Sequence, residues 1–83
     1  MKAYTLVDGF HSFDIRGVYS TLEKAIEGGR KYLEDEGVAV EVTGYRKLDI
    51  TEYRVSYKIT ESLGAGIDIF YQDLAVNVFP FDA

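Results

Sequence analysis

His11 is the only imidazole in the chain, and it stands between Asp8 and Asp14 in one short stretch. One histidine with two carboxylates is a poor transition-metal set, and no second cluster completes it. The interval from Asp8 to Asp14 also lacks the dense oxygen spacing of a calcium loop. Ser12, Ser20, Ser56 and Ser62 have only His11 to serve as an imidazole base, and no G-x-S-x-G elbow presents any of them. Glu41, Asp49, Glu52 and Asp68 read as ordinary surface acids rather than a paired acid and base. Gly64-Ala65-Gly66 is too short for a phosphate loop and has no following Lys-Ser/Thr, so it reads as a hairpin turn. The chain contains no cysteine, which excludes disulfides, thiolate metal sites and cysteine nucleophiles. These residues predict a protein that is not an enzyme and that uses no metal or cofactor.

Eighty-three residues are enough for one small core, so 1–83 reads as a single domain. The apolar and charged fractions are those of an ordinary globular protein. A net charge of −5, with cations scattered among the acids, argues against nucleic acid and against anionic membrane surfaces. Met1-Lys2-Ala3-Tyr4 runs straight into a strand-like stretch without a signal-peptide core, and no apolar run is long enough to span a membrane. A cytoplasmic location is expected.

The elements that must position any site are organised around Gly17 to Ile26. Ser20 takes the N-cap position with Glu23 three residues on, the spacing of a capping box. Leu22, Ala25, Ile26, Gly29 and Leu33 then form one apolar stripe of helical period. With Gly37 as the stop, the pattern predicts a helix over about 21–36. The Gly28-Gly29 pair breaks the helix preference, since each glycine costs about 1 kcal/mol relative to alanine. Gly29 lies on the stripe, where it would let a strand approach closely; Gly28 lies beside it. On the outer face Glu27–Lys31, Arg30–Glu34 and Lys31–Asp35 have i, i+4 spacing.

Short strands are expected at 3–7 and 15–19, joined as a hairpin through a turn at Asp8-Gly9 and a loop from Phe10 to Asp14 that carries two aromatics. Val38, Val40 and Val42 alternate with Ala39, Glu41 and Thr43 as a half-buried strand, with Gly44 to Asp49 as its connection. The clearest strand is 52–60, with Tyr53, Val55, Tyr57 and Ile59 toward the core and Glu52, Arg54, Ser56, Lys58 and Thr60 toward water. After a loop at 61–66, Ile67 to Tyr71 return. Leu74 to Phe79 either continue that strand past a bulge at Gln72-Asp73 or form a separate edge strand closed by Pro80. The fold class is α+β: five or six mainly antiparallel strands with one helix on one face.

Seven tyrosines and five phenylalanines are many for this length, and such residues recur at protein interfaces. One helix covers only part of such a sheet, and an apolar edge invites strand pairing. A homodimer through the C-terminal strand is therefore expected. The surface expected to bind a protein partner combines the wet sheet face (Arg54, Ser56, Lys58 and Phe70) with the terminal edge (Val78, Phe79 and Phe81).

The run Gly17-Val18-Tyr19-Ser20-x-x-Glu23-Lys24-Ala25, after a strand beginning Met1-Lys2-Ala3-Tyr4, resembles a step from strand to helix in small uncharacterised phage and prophage proteins. The likeness covers about the first 36 residues and carries no catalytic group. It implies a small intracellular accessory protein that binds a host protein, for instance as an inhibitor of a defence factor. The alternative is a small-ligand domain with its pocket between helix and sheet near Gly28-Gly29, or at a dimer seam.

Overall fold

The computed structural model describes residues 2–8, 14–64 and 66–80. The elements are β1 (Lys2–Asp8), β2 (Asp14–Tyr19), α1 (Leu22–Leu33), β3 (Val38–Asp49), β4 (Glu52–Leu63) and β5 (Gly66–Pro80). The five strands form one antiparallel sheet in the order β2-β1-β5-β4-β3, with α1 on one face: an α+β fold.

The helix is shorter than the sequence pattern and is capped differently. Thr21, not Ser20, is the N-cap, and its side chain accepts from the Lys24 N–H at 3.1 Å. The third helical position is then Lys24, so no capping box forms; Ser20 Oγ instead accepts from Lys24 Nζ at 3.3 Å. At the other end Glu34 is already extended, with φ −71° and ψ 137°. Gly37, at φ 76°, serves a β-turn closed by the Val38 N–H on the Asp35 carbonyl at 2.9 Å. Stopping at Leu33 leaves Arg30 and Lys31 in the last turn, the charge sign that the helix dipole favours there.

The strands are longer than expected. β3 runs on through Gly44 to Asp49, its register shifting between Val42 and Gly44 and again between Lys47 and Asp49. Gly44 to Asp49 is therefore strand, and only Ile50 and Thr51 connect it to β4. β5 is one strand: its pairing with β4 is unbroken from Gly66 to Asn77, without a bulge at Gln72-Asp73. Its C-terminal half lies between β4 and β1, where Thr5 pairs with Asn77 and Ala3 with Phe79. That half is not an edge, because its main-chain groups are used on both sides.

Leu6, Ala25, Val55, Tyr57, Leu74 and Val76 form the buried cluster between helix and sheet, with Tyr4, Tyr19, Leu22, Ile26 and Leu33 packed around it. The two glycines of the helix explain how it sits so close. A Cβ on Gly29 would fall 2.2 Å from Tyr57 Oη, and one on Gly28 would fall 2.1 Å from Tyr19 Oη. Each glycine leaves room for one tyrosine ring. Gly17, two residues before Tyr19 on the same strand, lies against the same ring.

Lengths decide what remains uncovered. A helix of 12 residues is about 18 Å long. A strand of 15 residues reaches about 50 Å, close to the molecule's long axis of 53 Å. The sheet therefore outruns the helix. The ends of β3, β4 and β5 around the turn at Gly64 form an overhang.

Candidate functional site

Cross-strand pairing sorts the side chains of the overhang onto two faces. Val55 pairs with Leu74, Tyr57 with Gln72 and Ile59 with Phe70, and all of these share the helix side. Arg54 pairs with Ala75, Ser56 with Asp73, Lys58 with Tyr71 and Thr60 with Ile69, on the helix-free side. Glu41 of β3 stands opposite Lys58, an opposite-charge pair of the kind that supports a sheet face.

Of the residues expected to bind a partner, Arg54, Ser56 and Lys58 share the helix-free face and are half-buried. Phe70 does not join them: it lies on the opposite face beside Ile59, because its position in β5 is even with Leu74 and Val76. Val78 is buried in the core at 6% exposure and offers no surface. Phe79 is exposed on the helix-free side, at the far end from the overhang. Phe81 lies outside the described residues, as do Phe10, His11, Ser12 and Phe13.

Alternation in the first half of β5 supplies what that set omitted. Ile67, Ile69 and Tyr71 project from one face and are 71%, 54% and 67% exposed. Their i, i+2, i+4 spacing was the signal in the sequence; only the missing cover makes them a surface. Toward β1 the same helix-free face is closed, with Ala3, Thr5 and Val7 buried.

The helix side is occupied by packing. The phenol of Tyr57 is fully buried and donates to the Ile26 carbonyl at 2.8 Å. Burial, and then the charge of Glu27 and the nearby Tyr19, push its ionisation well above the ordinary tyrosine value. Tyr57 therefore fills the space at Gly29 where a ligand pocket was expected. Beside Gly28 there remains an open hollow of about 360 Å³ lined by Tyr19, Lys24, Glu27, Gly28 and Lys31.

Charged groups elsewhere serve structure. Arg30 bonds Glu27 at 2.7 Å and also bonds Glu34. The hydrogen bond from Arg30 holds the Glu27 carboxyl below its ordinary range. Tyr32 donates to the Asp8 carboxylate at 2.6 Å, and the Arg16 guanidinium lies 4.9 Å from the Tyr32 ring centre. The shift in register between Leu6 and Val7 makes Arg16 the extra residue of a bulge, and such bulges re-aim side chains. Among the described residues no three His, Asp or Glu side chains are grouped to hold a metal ion, and no helix is long and apolar enough to cross a membrane.

No family model matches the chain, and no curated protein and no solved structure matches it.

Proposed function

We propose that this protein is a non-enzymatic binding module that engages another protein through the helix-free face of its overhang. One observation carries the reading: Ile67, Ile69 and Tyr71 stand exposed on one face beside the polar row of Lys58 and Thr60. Contiguous apolar side chains rimmed by polar ones are a feature of interaction surfaces. The accessory role implied by the likeness of residues 17–25 to phage proteins, inhibition of a host factor, is one form of such binding.

The test is affinity capture from an extract of the native cells, comparing the wild-type chain with a Lys58→Gln/Tyr71→Ser variant. Both substitutions sit on exposed or half-exposed positions, so folding is preserved, as circular dichroism would check. Loss of a central contact is expected to reduce retention of the captured protein by about tenfold or more. Equal retention by the variant, or no protein retained by the wild type, would overturn the proposal.

A further inference from the structure

We infer that two copies of this chain join edge to edge through the first half of β5, in an antiparallel register with Phe70 on the twofold axis. β1 pairs with β5 only from Lys2↔Pro80 to Val7↔Ala75. Beyond Ala75 no described strand flanks β5 on that side, while β4 occupies the other. Val78 donates its N–H to Thr51, on the β4 side, at 2.8 Å. Main-chain groups alternate along a strand, and this one has unbroken register. Ile67, Ile69, Tyr71 and Asp73 therefore turn their N–H and C=O groups to the open side.

The other two edges carry the devices that discourage such pairing. β3 has two shifts in register and carries Glu41, Arg46 and Lys47. β2 is only 6 residues long and has a bulge at Arg16. The open segment 67–73 has neither bulge nor proline, and Asp68 and Asp73 are its two charged residues. A mainly apolar edge without bulge or proline is the arrangement that pairs.

A second copy fits it by symmetry and by charge. Among the described residues, the part of β5 with no neighbouring strand on this side runs from Ile67 to Asp73, and its centre is Phe70. Antiparallel pairing about that centre sets Ile69 opposite Tyr71 and Asp68 opposite Gln72. Asp73 falls opposite Ile67, so no acid meets an acid. About eight main-chain hydrogen bonds would close, because the four outward-facing residues of each copy all lie in hydrogen-bonded pairs. The joined sheet keeps the faces with Ile67, Ile69 and Tyr71 open on both copies, so the pairing stands apart from the binding role proposed above.

Sedimentation over a range of concentrations should show the mass doubling from 9.4 kDa in the wild type. Ile69→Lys and Ile69→Pro should each hold it at 9.4 kDa with unchanged circular dichroism, since the N–H of residue 69 faces away from β4. The native chain has no cysteine, so an introduced one reports cleanly. In this register Phe70 meets its own copy in a non-hydrogen-bonded pair with Cα atoms about 4.5 Å apart, within disulfide range. Phe70→Cys should therefore oxidise to a covalent dimer, while Asp68→Cys, which faces Gln72, should not. A wild type that remains at 9.4 kDa at every concentration would overturn the inference. So would a dimer that survives both changes at Ile69, or equal cross-linking at residues 68 and 70.

Discussion

Tyr57 lies directly beneath Gly29, with its hydroxyl oxygen 2.2 Å from where a Cβ on that glycine would stand. The ring is fully buried and its hydroxyl is bonded to Ile26, so it has nowhere to retreat. Gly29→Ala would gain about 1 kcal/mol of helix preference. It would lose more by overpacking, for a net destabilisation of about 1–3 kcal/mol in urea unfolding. Gly28→Ala meets Tyr19, a half-buried ring beside an open hollow, and should change stability by no more than about 1 kcal/mol. The cost of Gly29→Ala should shrink in a Tyr57→Phe background, because contacting residues are not additive.

Tyr57 also predicts a dependence on alkaline pH. Its folded ionisation lies above the unfolded value of about 10. The unfolded chain therefore releases this proton first, and the stability that Tyr57 contributes is complete below about pH 10 and declines above it. Tyr57→Phe should cost about 0.5–1.5 kcal/mol at pH 8 through the lost hydrogen bond. The difference between wild type and variant should then narrow by up to about 1.4 kcal/mol per pH unit above pH 10. A constant difference from pH 8 to 11 would refute the assignment.

The helix cap separates two adjacent hydroxyls. Thr21→Ala should destabilise the protein by about 1 kcal/mol, since it removes the acceptor for the Lys24 N–H. Ser20→Ala removes only an exposed contact to the Lys24 side chain and should be nearly silent. Thermal melts of the two variants would decide between the caps.

On the helix surface, Arg30→Gln should let the Glu27 carboxyl titrate closer to its ordinary value, as read by NMR. Because the folded value is lowered, the contribution of Glu27 is present above the ordinary carboxylate pKa. It is lost as pH falls through the lowered one. The variant should show less of this acid dependence.

Leu74, Val76 and Val78 are buried, so this part of the chain is core and not the exposed edge on which the expected dimer rested. Truncation after Asp73 should therefore unfold the protein, with loss of circular dichroism and of a cooperative melt. A folded truncated chain would contradict the central place of β5.

Local patterns showed much of this fold. Alternation identified β4 and its two faces, and the apolar stripe located α1 to within a few residues. The odd pair Gly28-Gly29 signalled a close approach, but the partners Tyr19 and Tyr57 are distant in sequence, so only the sheet order identifies them. Strand order was likewise hidden, because nothing local to residues 74–80 distinguishes a central strand from an edge. The face of Phe70 is hidden for a related reason. It follows from continuity with Leu74 and Val76, which a bulge at Gln72-Asp73 or a break in the strand would remove. The exposed trio Ile67, Ile69 and Tyr71 is plain in the alternation, but its exposure depends on helix length against strand length.

The strand order carries a consequence for synthesis. Leu6 on β1 packs level with Val76 on β5, so the first strand finds its central neighbour only when nearly all of this sequence has been made. Until then β1 and β2 can form only a hairpin, and α1 has half a floor to lie on. Folding dominated by such distant pairings is slow, and it leaves apolar strands waiting in the open. A nascent chain halted anywhere before residue 74 should thus be a substrate for chaperones, whereas the released chain should not.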